Sequence, residues 1–247
     1  MSTRTHRVIE IVVFTVLVYA ATIALPIYQP PTGGYFNLGE SMIYVAALTT
    51  SPLVAGIAGG VGAALADLTT GYAIFAPGTL VIKFIEGFVA GFFVRKLKSI
   101  HGAVKALITG GVYSIILVSV YATLGGVYLG PSTLMIPGTS FVIELPSPYV
   151  EVALAVWIAL GIALASLVII ALTKSYVSSG EVYGLAIGGA LMVLGYYLYE
   201  YFISNPLTGR EPAAAVLEIP VNIGQVIVGI SIAIPVVSWL RRAGYIK

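Results

Sequence analysis

The sequence predicts an all-α fold, a polytopic helical bundle built to lie in a membrane. Of its 247 residues 59% are hydrophobic and only 9% charged, with a mean hydropathy of +1.02. A soluble domain carries ~25% charged residues, so this chain has too little polar surface to coat a globule in water. Its apolar residues come in long runs, and ten of its twelve lysines and arginines fall outside those runs on one side, as the positive-inside rule requires of a polytopic chain. Other classes drop out on the same numbers. Disordered chains and coiled coils need charge-rich sequence. A net charge of +2 gives nucleic acid no electrostatic grip. With no cysteine, disulfides, thiolate metal sites and a cysteine nucleophile are excluded. The two histidines, His6 and His101, lie near basic residues and suggest neither a metal site nor a Ser/His pair. No GxxxxGK[ST], GxSxG or HExxH motif occurs. No catalytic residue, metal or cofactor is therefore expected, and the chain is not read as an enzyme.

A spanning helix needs about 20 mostly apolar residues. Read between charges, prolines and glycine-rich turns, eight runs qualify or come close: 8–25, 41–50, 53–68, 79–94, 106–129, 149–172, 182–203 and 213–240. In the first, Glu10 interrupts the start and no clear small-residue cleavage site precedes the next run, so it is expected to be a retained span and not a cleaved signal. The second is ten residues long and ends before Pro52, which makes it a thin or re-entrant half of a hairpin with the third. The third is crowded with Gly56, Gly59, Gly60, Gly62, Ala63, Ala64 and Ala66, and the fourth carries Gly87 and Gly91. Such small residues let helix backbones approach closely; they serve internal packing or, alternatively, a face for another membrane subunit. Ala20 and Ala24 make a further small pair on the first run.

Arg4, Arg7, Arg95, Lys96, Lys98, Lys105, Lys174, Arg241, Arg242 and Lys247 all fall on one side of this arrangement, leaving Arg210 opposite and Lys83 inside a run. Both termini are then expected to be cytoplasmic. The outer loops are 26–38, 69–78, 130–148 and 204–212.

Charges at membrane depth cost ~2.5–3.5 kcal/mol each at a helix centre, so they face a protein interior or a watery cavity. Glu40, Asp67, Lys83, Glu86, Glu200 and Glu218, with Asn222 and Gln225, all map to the outer half; Glu10 does not. One outward-facing polar pocket explains that shared depth. Lys83 and Glu86 are three apart and share a helix face, either as an internal ion pair or as a cation offered to a ligand with its support. Glu218, Asn222 and Gln225 form a second stripe beside Pro220, which removes a backbone donor. That stripe is read as part of a site at a helix discontinuity or as polar glue between helices. Tyr28, Tyr35, Phe36, Tyr72, Tyr196, Tyr197, Tyr199 and Tyr201 lie at the same level, as an interfacial belt or as rings to stack on a planar ligand.

The stretch FNLGESMIYVAALTTSPLVAGIAGGVGAALADLTTGYAIFAPGTLVIKFIEGFVAG, residues 36–91, resembles the substrate-binding S component of energy-coupling factor (ECF) vitamin transporters, in the riboflavin-type group. GYYLYEYF at 195–202 and AAAVLEIPVNIGQVIVG at 213–229 are similar to the fifth and sixth helices of that fold, in the same order. The resemblance implies a six-helix core at 1–98 and 180–243 within one membrane domain, interrupted by an inserted two-helix hairpin at 99–179 whose outer loop holds Pro131, Pro137, Pro146 and Pro148. It implies capture of a vitamin or precursor from outside, with 26–38 as a lid. The implied ligand-binding set is Asn37, Glu40, Asp67, Tyr72, Lys83, Glu86, Tyr196, Glu200, Glu218, Asn222 and Gln225, with Ala20 and Ala24 as a docking patch. The implied partners are a transmembrane coupling subunit and two cytoplasmic ATPase subunits, in the cell membrane. A self-sufficient channel or facilitator, whose polar residues would line a continuous path, and a structural membrane subunit are the rival readings.

Overall fold

The computed structural model describes residues 3–29, 32–99, 102–122, 126–128, 133–135, 142–144, 149–151, 153–174 and 176–246. His101 and the four loop prolines, Pro131, Pro137, Pro146 and Pro148, lie outside them. Among the described residues α1 (Thr3–Ala24) leads through a short hairpin, β1 (Ile27–Tyr28) and β2 (Tyr35–Phe36), into α2 (Gly39–Thr49), α3 (Pro52–Thr69), α4 (Ala76–Leu97) and α5 (Ala103–Ala122). Four three-residue strands follow, β3 (Gly126–Tyr128), β4 (Thr133–Met135), β5 (Val142–Glu144) and β6 (Tyr149–Glu151), and then α6 (Leu154–Thr173) and α7 (Ser179–Tyr199). A π-helical turn (Glu200–Ser204), a single turn α8 (Asn205–Leu207), a 3-10 turn (Pro212–Leu217) and α9 (Glu218–Arg242) complete the chain.

The protein is a helical membrane bundle. Among the described residues six stretches are long and apolar enough to cross a bilayer: Arg4–Ala24, Pro52–Thr69, Ala76–Leu97, Leu154–Thr173, Ser179–Leu207 and Pro212–Arg242. α5 carries a shorter apolar stretch, Val104–Ser119. The short second run is α2, whose 11 residues reach only about 16 Å at 1.5 Å per residue. It lies at the centre of the molecule, in contact with α1, α3, α4 and α9, and most of its residues are buried. Backbone groups at membrane depth must be satisfied or shielded by protein, and here neighbouring helices shield both ends of a segment too short to span.

Local chemistry fixes the helix ends that matter. The Ser51 hydroxyl accepts from Val54 N–H (3.3 Å) with Pro52 in the first turn of α3. At α7 Ser178 and Glu181 form a reciprocal capping box. Glu181 also pairs with Arg241 at 2.8 Å, tying the start of α7 to the end of α9. Small residues draw α3, α4 and α7 together: a Cβ on Gly59 would stand 2.9 Å from the Lys83 carbonyl, and one on Gly188 2.7 Å from the Glu86 carbonyl. The glycines thus set the backbone position of Lys83 and Glu86 on α4.

Two expected boundaries move. The runs at 106–129 and 149–172 were read as helix throughout, but helix stops at Ala122 and restarts at Leu154. Between them β3 pairs antiparallel with β6 and, nested beyond, β4 with β5. Valine and tyrosine at 127, 128, 149 and 150 favour such pairing, and a short apolar run cannot be assigned by hydropathy alone. α5 and α6 pack on each other and against α9, and β3 lies beside β1. The Tyr113 hydroxyl donates to the Ile227 carbonyl and lies 2.7 Å from Ser231 Oγ.

Candidate functional site

The site lies at the end of the bundle opposite the basic termini of α4 and α9, beneath the β1–β2 hairpin. Two antiparallel pairs, Ile27 with Phe36 and Tyr28 with Tyr35, set the hairpin's register. Gly33 turns the chain with φ +74°, a left-handed conformation that favours glycine, and the Arg210 guanidinium lies against it. Three hydrogen bonds fasten this strap to two helices. The Thr32 hydroxyl donates to the Glu218 carboxylate on α9. The Tyr35 hydroxyl donates to Asp67 Oδ1 on α3 at 2.7 Å. The Asn37 N–H donates to Gln225 Oε1 on α9 at 2.8 Å. Tyr35 also packs on Tyr72, with ring centroids 4.2 Å apart. Burial, and then the neighbouring Asp67 carboxylate, hold the Tyr35 phenol well above its ordinary pKa, and burial pushes Tyr72 up to about 12. Both strap-side phenols therefore stay protonated, which keeps Tyr35 a donor.

Below the strap, Thr22, Gly34, Tyr35, Asn37, Ala63, Asp67, Phe75, Thr79, Lys83, Tyr196, Glu200, Glu218, Asn222 and Gln225 surround a cavity. The cavity leaves about 30 Å³ for water-sized occupants, which is room for only a few waters. A solute larger than a few waters requires the surrounding elements to move apart. Asp67, Lys83, Glu200, Glu218, Asn222 and Gln225 are all no more than 3% exposed.

Behind the cavity wall Lys83 joins two carboxylates: its ammonium bonds Glu40 and stands 3.1 Å from Glu86 Oε2. The Tyr44 hydroxyl donates to Glu86 Oε1 at 2.7 Å. The Tyr196 ring lies 5.4 Å from the Lys83 ammonium, within cation–π range, and its hydroxyl donates to Thr79 Oγ1 at 3.0 Å. On α9 Gln225 Nε2 donates to Asn222 Oδ1 at 2.8 Å, which orients Gln225 toward Asn37.

The fold brings Asn37, Asp67, Lys83, Tyr196, Glu200, Glu218, Asn222 and Gln225 to one cavity. Glu40 and Glu86 stand one layer behind, through Lys83, and Tyr72 stands behind Tyr35. The sequence reading did not single out Thr22, Gly34, Ala63, Phe75 or Thr79 for the site. Thr22 had one legible trace, as one of the few polar residues in the first run beside Glu10 and Thr15, and it is buried where most of α1 is exposed. Pro220 does not break α9: it lies in the first turn, where its missing N–H has no partner to lose. The discontinuity is the 3-10 turn that ends at Leu217, just before Glu218. A second irregularity, the π-helical turn, begins at Glu200 itself; such turns are frequent at functional sites. Ala20 and Ala24 are exposed on α1.

Residues 2–142 match the family described as ECF-type riboflavin transporter, S component. The chain is also similar to a Pyrococcus woesei protein described as "Uncharacterized protein in gap 3'region", with 39% identity over 114 residues, 46% of this chain and 74% of that one. No solved structure matches.

Proposed function

The chain belongs to the ECF-type riboflavin transporter S component family, and on that premise we propose that it captures a vitamin or vitamin precursor from outside the cell for ATP-driven import by partner subunits. The observation that carries this reading is the strap hydrogen-bonded across α3 and α9 over a buried polar cavity. A strap that closes by side-chain hydrogen bonds can open to admit a solute. The cavity has polar walls, buried but unsuited to chemistry: its groups can hold and orient a ligand, and none is arranged as a nucleophile with its base.

Import in this reading needs a transmembrane coupling subunit and two cytoplasmic ATPase subunits. The outward surface of α1, with Ala20 and Ala24 exposed among Val12, Val13, Val16 and Leu17, is the proposed docking face. Small residues there allow a partner helix to come close. The basic residues at the far ends of α4 and α9 favour the cytoplasm, so the cavity faces out. Residues 99–179 are read as an inserted hairpin that leaves the parity of crossings unchanged, its β3 bordering the strap.

The test is native mass spectrometry of the purified protein, together with its thermal stability in the presence of individual vitamins. A co-purifying vitamin, or a stabilisation that Asn222→Ala and Gln225→Ala abolish, is expected. If no vitamin binds and no solute enters cells through the intact transporter, the capture role is wrong.

A further inference from the structure

Away from the cavity, α5 carries a set of polar contacts that the site described above does not use. Its buried stripe, Ala106, Thr109, Gly110, Tyr113 and Leu117, recurs at helical spacing, while Leu107, Ile108, Val112 and Ile115 on its other side are exposed. Two hydroxyls in that stripe reach helices that wall the cavity. Thr109 Oγ1 lies 2.6 Å from the Tyr183 hydroxyl on α7. Tyr113 donates to the Ile227 carbonyl on α9 and lies 2.7 Å from Ser231 Oγ, which itself donates to that carbonyl at 2.7 Å. Ser231 is fully buried and Tyr113 nearly so, so water does not compete for these bonds.

With 3.6 residues per turn, about 100° each, Asn222, Gln225 and Gly229 share one face of α9, and Ile227 and Ser231 lie on the opposite one. The first face meets the cavity and α2. Asn222 and Gln225 line the cavity, and a Cβ on Gly229 would stand 2.6 Å from Glu40 Cβ and 3.1 Å from Tyr44 Cε2. These two side chains are the ones that bond Lys83 and Glu86. α9 is thus held at one level from both sides, by α2 in front and by α5 behind. Apolar contact alone lets a helix in lipid roll, because lipid tails are as apolar as its neighbours; a directional hydroxyl bond fixes its angle. The segment that carries Tyr113 also reaches the strap, since β3 follows α5 and lies beside β1.

We infer that α5 is a positioning element of the capture site and Tyr113 its positioning residue: from behind α9 it holds Asn222 and Gln225 at the cavity, and through the bond from Asn37 to Gln225 it steadies the strap. This rests on the capture reading above and makes the segment 99–179 a working part of that site. A segment that only joined helices would contribute stability and leave the strap unaffected.

The experiment compares the purified full-length protein in detergent with Tyr113→Phe, which keeps the ring and removes the hydroxyl, and with Ser178→Ala, which removes the α7 cap at the end of the bundle away from the strap. Each is measured for melting temperature, for amide hydrogen exchange over residues 32–37 and for riboflavin binding by calorimetry. Tyr113→Phe is expected to speed exchange over the strap and to weaken riboflavin, each by about two- to tenfold, the factor one hydrogen bond carries. Ser178→Ala should lower the melting temperature and change neither. If Tyr113→Phe behaves as Ser178→Ala does, α5 only joins helices and the positioning role is overturned. Should Tyr113→Phe not fold, Ser231→Ala removes the other hydroxyl of the cluster and is read in the same way. Exchange over the strap needs no ligand, so it decides the positioning role even where riboflavin fails to bind, a failure that counts against the capture reading alone.

Discussion

Lys83 shows how one residue can be costly to bury and still indispensable. Its ammonium sits between Glu40 and Glu86, all three nearly inaccessible to water. Desolvating three charges offsets much of their attraction, so such a cluster is not in itself a gain in stability; removing one partner is a different matter, because it leaves buried charge uncompensated. Lys83→Met should therefore destabilise the protein by ~3–5 kcal/mol. The triple variant Lys83→Met, Glu40→Gln, Glu86→Gln, which removes the charges together, should recover most of that loss. Thermal unfolding in detergent checks both. If the triple variant is no more stable than the single one, the cluster is not held by charge balance. The sequence made Lys83 and Glu86 neighbours through their spacing of three. It could not show that Glu40, 43 positions before Lys83, completes the group, since that contact depends on α2 entering the centre of the bundle.

The elements are placed by what their backbones lack. Gly59 on α3 faces the Lys83 carbonyl so closely that a methyl group there would stand 2.9 Å from it. Gly59→Ala should cost about 1–3 kcal/mol by overpacking and should also weaken ligand binding, because α4 must shift and takes Lys83 with it. Leu53→Ala on the same helix, whose side chain is 42% exposed, is the control that should leave binding unchanged. Binding affinity, measured beside melting temperature, separates a moved site from a merely weaker fold. This glycine seam was legible as a run of small residues; the partner it faces was not. The nested strands between α5 and α6 were missed because apolar runs of three residues carry no period. The π-helical turn was missed because its cause lies downstream: Pro206 has no N–H to give to the Phe202 carbonyl, and the helix widens over Glu200–Ser204, around that carbonyl.

At the scale of the whole molecule, charge is sorted by height. The strap, the cavity and its carboxylates occupy one end, and Arg95, Lys96, Arg241 and Arg242 end their helices at the other. Depth of this kind can be read from sequence by counting along apolar runs, which is why residues as far apart as Asp67 and Glu218 could be assigned to one pocket. The direction a side chain takes round its helix cannot be read so well where hydrophobic residues face lipid and core alike, and this is why Thr22 and Thr79 escaped notice. The sorting also yields an orientation that can be measured. The chain has no cysteine, so a single introduced thiol reports without background. Glu211→Cys, exposed beside the cavity end, should react with a membrane-impermeant maleimide on intact cells, whereas Arg242→Cys, exposed at the basic end, should react only after permeabilisation. The same pattern must follow if a capture subunit is to meet its solute outside and its ATPase partners inside. The reverse pattern would turn the strap toward the cytoplasm, where a cavity closed at that face has no route to an external vitamin.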